Sequence, residues 1–474
     1  MKTARTLHLL AAAIACVVCP TTTVAQAADG KQSIEYEMKV ERAAQAAVWA
    51  IPAVAIWDVA VGTRRDLGGD VGDIVYFSKP MASRHGFLTA NDVTPYVIAS
   101  LTTKNGPIVV EVPAEGDKAA YFGSFLDAWQ VPFVDVGPSG GDEGKGGKYL
   151  LLPPGYTGTV PEGYLVYRPQ TYAVELAFRP VAKNGGTIEE VVEYGKLLKI
   201  YKLSEAANPP QARSIDAFPK GYNTLPTYDI NYFKDINTIV QNEPVLDRDK
   251  AMMGLLASIG IEKGKPFAPD AETTKALEEG LRRAYAWMQD YFTTPGKSCT
   301  PMWEGSQWQR FNVSKEQIKL GSPFVTDDRL LIDERAGYYF VATALPRKLG
   351  SDSFYLPGLR DHDGNLFTGA STYRLRVPKD TPARDFWSVI VYSMKTKGFL
   401  DGVDRVGLSS KETGHMKVNA DGSVDVYFAP KPPAGLESNW IPTGEDFFLI
   451  FRFYGPEKRL FENTWKLDDV QKVK

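Results

Sequence analysis

The chain has 474 residues, with 54 Lys and Arg against 57 Asp and Glu, and a formal net charge of -3. A near-neutral balance without clustered Lys and Arg excludes the electrostatic footprint of a nucleic-acid-binding protein. With 44% hydrophobic and 12% aromatic residues, the chain can bury two or three cores of ordinary size.

Residues 1–27 have the composition of a signal peptide. Lys2 and Arg5 form a positive start, Leu7 to Cys19 an apolar stretch, and Ala25-Gln26-Ala27 a small-residue cleavage site. The apolar stretch is short for a bilayer span, so export to the periplasm or medium is expected. Cleavage would remove two cations and no acid, taking the net charge from -3 to -5. It would also remove Cys16 and Cys19, leaving Cys299 and no internal disulfide.

Residues 28–65 predict an N-terminal helical segment. Its first half carries Glu35, Glu37, Lys39, Glu41 and Arg42. The run AAQAAVWAIPAVAIWDVAV (43–61) is almost long enough to cross a membrane, but it contains Gln45, Pro52 and Asp58. Alanine is only weakly apolar and a buried Asp is costly in lipid, so a helix packed on the body is expected, with no membrane span after cleavage. Pro52 is expected to kink or end its first section.

Residues 66–205 predict a first β domain with a closing helix. TPYVIASLTT, GPIVVEVP, KYLLLPP, YLVYRP and TYAVELAFRP are short β-rich runs punctuated by Gly, Pro, Asn and Asp, the texture of a sandwich or barrel. TIEEVVEYGKLLKIYKLS returns to helical spacing. Residues 206–340 predict a helical middle segment, with helical periods at 246–260 and 269–293. Residues 341–474 are β again: STYRLRVP, FWSVIVYS, SVDVYFAP and DFFLIFRFYGP, with Asp421-Gly422 as a turn.

Few motifs carry chemistry. GPSGG (137–141) satisfies the literal G-x-S-x-G pattern, but a nucleophile elbow needs a following helix. Here DEGKGG and another strand follow. Gly144-Lys145 lacks the Ser or Thr of a phosphate loop. The stretch is therefore expected to be a glycine-rich connection, with a lid over a site as the functional alternative. His85, His362 and His415 are unpaired in sequence, and RDHDGN around His362 lacks the later ligands of a calcium loop. No metal or other cofactor is expected. Cys299 is expected to be a buried small residue, with a catalytic thiol as the alternative.

Asn91-Asp92 before a strand suggests a turn made by side-chain to backbone bonds, or an acid–base group if Asp92 lines a pocket. Arg452 interrupts the apolar strand FLIFRFYGP. It either faces solvent or requires an acidic partner or anionic ligand. Trp129, Trp387 and Trp465 suit a sandwich core. Trp440, after Glu437-Ser438-Asn439, is read equally as a core plug or as a ligand platform.

Several of these segments together resemble a bacterial exported family that pairs two domains of unknown function, numbered twelve fifty-four and twelve fourteen. The N-terminal resemblance rests on Asn91-Asp92 with Thr94-Pro95-Tyr96, GPIVVEVP, Asp127-Ala128-Trp129 and KYLLLPPGY. The C-terminal one rests on DGNLFTGASTYRLRVP, Phe386-Trp387-Ser388-Val389, Asp421-Gly422-Ser423-Val424, Ser438-Asn439-Trp440-Ile441-Pro442 and FRFYGP. It implies a mixed α and β fold, mainly β, with two jelly-roll-like sandwich domains separated by helices. It implies no established reaction.

The functional expectation is an exported hydrolase acting on a saccharide or small ester or amide. Asp92, Tyr96 and Arg452 are its candidate catalytic residues, and Trp387, Asn439 and Trp440 its ligand-binding residues. The alternatives are a non-catalytic binding protein for a saccharide or polar-aromatic molecule, and an envelope assembly protein that forms homo-oligomers.

Overall fold

The computed structural model describes residues 33–314, 316–317, 323–344, 347 and 353–473. The expected signal peptide, residues 1–27, lies outside the described residues. Helix accounts for 28% and strand for 27%, so neither element type alone carries this mixed fold.

The helix Ile34–Leu67 organises the molecule. Ser33 caps it by accepting a hydrogen bond from Tyr36 N at 3.1 Å. Acids in its first turn and Arg64 and Arg65 in its last complement the helix dipole, and Gly68 ends it in the left-handed conformation at φ 64°. Apolar residues surround the axis instead of forming one stripe, which requires burial on all sides. In its most membrane-like window, 83% of residues are buried inside the protein. Of the two outcomes expected at Pro52, a kink or an end, the helix does not end there. The Pro52 carbonyl accepts a hydrogen bond from Gln130 Nε2 at 2.8 Å, and the surrounding core holds the helix on both sides of it.

The long helix Ala271–Thr293 packs along this first helix. Gly280 sets their spacing, since a Cβ there would lie 2.5 Å from Val40 O and 2.6 Å from Ala43 Cβ. Helices Ile230–Asn242 and Ile332–Tyr339 also pack against the N-terminal helix.

Two β sandwiches flank this helical centre. The first combines a six-stranded and a four-stranded sheet. In the six-stranded sheet, Ala173–Ala182 pairs antiparallel with Val97–Thr102 and Ala119–Asp127. The second combines two four-stranded sheets, one centred on Phe447–Pro456 between Ser353–Gly358 and Ala383–Ser393, the other on Val424–Ala429 and Tyr373–Val377.

Strand alternation explains what each residue faces. Val174, Leu176 and Phe178 join the interior of the first sandwich, so Glu175, Ala177 and Arg179 project from its outer face. In the second, Leu449, Phe451 and Phe453 join the interior. Phe448, Ile450, Arg452 and Tyr454 take the other side, where Phe448 and Ile450 enter the central core with the N-terminal helix. The outer faces of these two strands are therefore turned toward the middle of the molecule, and a polar side chain on either is a polar side chain among the central elements.

Candidate functional site

Arg452 sits in the middle of its sheet, directly opposite Tyr355 on one neighbouring strand and Ser388 on the other. It is 2% exposed. Nη2 donates to the carbonyls of Thr89 at 2.9 Å and Ala90 at 3.3 Å. The rings of Tyr355 and Tyr392 flank the guanidinium, with its carbon 5.0 and 5.5 Å from their centroids. Nε and Nη1 have no protein acceptor, and no ion pair closes on Arg452 among the described residues. Burial works against its charge, but the hydroxyls of Tyr392, Tyr454 and Tyr355 favour it and hold the pKa above the usual arginine value.

The segment between the two sandwiches supplies the opposite wall. Asn91 shapes it: Oδ1 accepts from Val93 N at 3.0 Å and Nδ2 donates to Thr94 Oγ1 at 2.8 Å. The side-chain turn expected of Asn91-Asp92 is thus made by Asn91, which leaves the Asp92 carboxylate to turn inward. Asp92 Oδ1 is buried without a hydrogen-bond partner. Burial pushes its carboxyl up, Arg452 opposes, Glu412 adds, and it settles at about 6. Gly407 admits this carboxylate, since a Cβ there would lie 2.8 Å from Asp92 Oδ2. The Tyr392 hydroxyl donates to Ala90 O, fastening the same segment to the second sandwich.

From the first sandwich come Arg179 and Tyr96. Arg179 Nη1 lies 3.5 Å from the Tyr355 hydroxyl. Burial pushes the Tyr355 phenol up, but the positive charges of Arg179 and Arg452 outweigh it and bring it down to about 8. Tyr96, partly buried beside the same groups, is pushed upward by burial, with Arg179 opposing. Ser388 Oγ and Tyr454 OH lack protein partners as well. The seam thus holds two arginines, a phenol that ionises more readily than usual, a carboxyl that keeps its proton longer than usual, and several unused donors. Chemically, such a set of groups can face a negative charge and exchange a proton.

The structure brings Asp92, Tyr96 and Arg452 together from two separate sandwiches. It places the three expected ligand-binding residues elsewhere. Trp387 precedes Ser388, so strand alternation turns it into the sandwich interior, where it stacks on Phe451 at 5.5 Å. Asn439 is buried, bonding Lys417 N and O and the carbonyl of Asp425. Trp440 Nε1 donates to Ala429 O at 2.8 Å, tying one edge of the sheet together.

Sequence reasoning missed Arg179, Tyr355 and Ser388. Arg179 in TYAVELAFRP carries the signal that singled out Arg452, a cation interrupting an apolar strand. Tyr355 and Ser388 carry none, because Tyr and Ser are ordinary strand residues.

The other motifs resolve as local structure. In the 137–146 connection, the Asp142 carboxylate accepts from Gly137 N at 2.7 Å, Gly146 N at 3.1 Å and Tyr149 OH at 2.9 Å. Gly137, at φ 87°, would place a Cβ 1.8 Å from Tyr121 O. Strand Gly147–Leu151 follows, not a helix. Burial pushes the Cys299 thiol up, away from thiolate chemistry. His85 Nδ1 accepts from Ala82 N at 2.9 Å. Among the described residues no group of three His, Cys, Asp or Glu is placed to hold a metal ion.

The fold and seam define a two-sandwich protein with a buried cationic junction. Residues 71–202 match the family described as Protein of unknown function (DUF1254), and residues 352–458 match Protein of unknown function (DUF1214). The chain carries both domains in that order and belongs with the proteins that pair them. No curated protein matches it. Among solved structures, it is similar to the VPA0106 protein of Vibrio parahaemolyticus, with TM-score 0.54 and 17% identity over 92% of this chain and 100% of that one. That likeness shows a shared fold. An uncharacterised protein of Burkholderia cenocepacia aligns at 11% identity and TM-score 0.39 over 93% of this chain and 95% of that one.

Proposed function

We propose that this chain is an exported protein that binds a small anionic molecule in the seam between its sandwiches and hydrolyses it. The observation that carries this reading is Arg452, a buried cation whose Nε and Nη1 lack a protein acceptor. A buried, uncompensated charge costs several kcal/mol. The Nε–Nη1 edge of a guanidinium is shaped for two parallel bonds to a carboxylate, phosphate or sulfate. The saccharides, esters or amides expected from the sequence then narrow to those bearing an acidic group. Asp92, at about 6, is the ionised group at neutral pH and takes a proton from attacking water, and Tyr355, at about 8, holds its proton and gives it to the leaving group. Tyr96 and Arg179 orient the bound molecule.

The alternative is a binding protein without catalysis. It is favoured by Ser388, which has no hydrogen-bonded base and so is not an activated nucleophile. Equilibrium dialysis of the purified protein against sugar acids, organic acids and phosphate or sulfate esters, read by mass spectrometry, tests both. New product masses support the hydrolase, and retention of an unchanged anion supports the binding protein. Retention that survives Arg452→Met would show that the seam is not the site.

A further inference from the structure

A second polar residue lies on a buried outer face, far along the same strand as Arg179. Glu175 is 6% exposed, and its Oε1 has no hydrogen-bond partner. It lines a recess of about 50 Å³ between the six-stranded sheet, the N-terminal helix and helix Ile230–Asn242. That volume has room for roughly three to five water-sized groups. The wall is mainly apolar, with Ile56, Trp57 and Leu101 among its residues, and the rim at Trp57, Val71 and Asn242 is partly exposed.

The other carboxylates of the recess are already engaged. Asp127 accepts from the backbone N–H groups of Trp129 and Val131 at 2.8 and 2.9 Å. Glu243 accepts from those of Tyr172 and Ala173 at 2.6 and 3.1 Å. Ser100 lies beside Glu175 across the strands, and its hydroxyl has no partner other than that carboxyl. Glu175 is therefore the spare acceptor of a small, apolar, acid-lined chamber, and no basic side chain lines it. A metal ion does not suit it, because no three ligating side chains converge there among the described residues. An apolar body ending in a cationic donor suits it on every count.

We infer that this recess is a binding site for a short alkylammonium group, with its nitrogen on Glu175 and Ser100 and its carbon chain between Ile56 and Leu101. Burial raises the Glu175 carboxyl to about 8, with the neighbouring Ser100 hydroxyl opposing. Binding at neutral pH therefore ionises it: the Glu175 O–H proton passes to the buffer as the ammonium takes its place. The site is separate from the anionic seam and stands whether or not that reading holds.

Isothermal titration with n-butylammonium chloride tests the inference, with n-butanol and sodium butyrate as matched probes, at neutral pH in two buffers of different ionisation heat. The expected result is saturable binding of butylammonium at least tenfold tighter than butanol, proton release near one per site, and a loss of tenfold or more in Glu175→Gln. Equal affinity for butanol would reduce the recess to an apolar cavity and overturn the inference. So would absence of butylammonium binding at millimolar concentration, or unchanged binding in Glu175→Gln. If Glu175→Gln does not fold, the comparison of the three probes on the unaltered protein decides the question alone.

Discussion

Glu175 and Arg452 occupy equivalent places in different sandwiches. Each lies on a central strand, on the face turned away from the sandwich interior, with opposite charge. Their surroundings differ. Arg452 receives two backbone carbonyls and two aromatic faces. Glu175 receives an apolar wall and one hydroxyl. The difference follows from what each group does when deprived of water. A guanidinium cannot shed its charge in any ordinary pH range, so the fold must surround it with acceptors. A carboxyl can take up a proton and become neutral, so the fold can leave it almost bare. One site carries a permanent charge that calls for an anion. The other acquires its charge only when a cation arrives.

The largest expected effect tests the conditional charge. The Glu175 carboxyl is raised in the folded protein to about 8, against roughly 4.3 in an unfolded chain. Between those values the folded state holds a proton that the unfolded state gives up, so stability falls as pH rises through that window, and the loss is complete above about 8. At roughly 1.36 kcal/mol per unit the full penalty is up to about 5 kcal/mol. Glu175→Gln removes it. Urea unfolding at pH 5 and pH 9 should show the variant gaining on the parent protein at the higher pH. Equal pH dependence in both would place the titration elsewhere.

Arg452→Met tests the permanent charge. Truncating one side of a buried, hydrogen-bonded charge pair costs about 2–5 kcal/mol, so retention of any anion found by dialysis should fall about 100-fold, with the thermal midpoint as a check on folding. The same substitution removes one of the two positive fields on Tyr355. Its phenol should then rise from about 8 by roughly one unit or more, a shift worth about 1.4 kcal/mol. Phenolate absorbance during a pH titration, with Tyr355→Phe as the blank, reads that shift. A titration that does not move would mean that Arg179 alone sets it.

The comparison also shows what a sequence can reveal. The sandwiches, the helical middle and the buried N-terminal helix were legible because period-2 and period-3.6 patterns survive in single segments. Arg452 was legible as a lone cation in an apolar strand. Arg179 and Glu175 carry the same signal within TYAVELAFRP, but a reading that treats outer strand faces as solvated passes over them. The neighbours of Arg452 were not legible. Tyr355 and Ser388 meet it only through strand pairing across roughly 65 to 100 residues of sequence, and pairing of that range leaves no local trace. At Pro52 the sequence left open a kink or an end, and the helix runs on because its surroundings, which the local pattern does not show, support it. Here a side chain from another segment and a core on every side hold it.

The smallest expected effect separates the seam from the aromatic residues nearby in sequence. Trp387 and Trp440 both precede Arg452 in the chain's C-terminal motifs, and both satisfy the composition of a ligand platform. Their contacts are internal: Trp387 with Phe451, Trp440 with Ala429 O. Trp440→Phe keeps an aromatic ring and deletes one donor to a strand carbonyl. That should lower stability by about 1 kcal/mol and leave anion retention within a factor of two. The pairing makes the test discriminating. If Trp440→Phe weakened retention as Arg452→Met does, the bound molecule would have to reach the far sheet of the second sandwich, and the seam would be only one end of a longer site. If stability alone moves, permanent charge at Arg452 and not aromatic surface defines what the protein recognises.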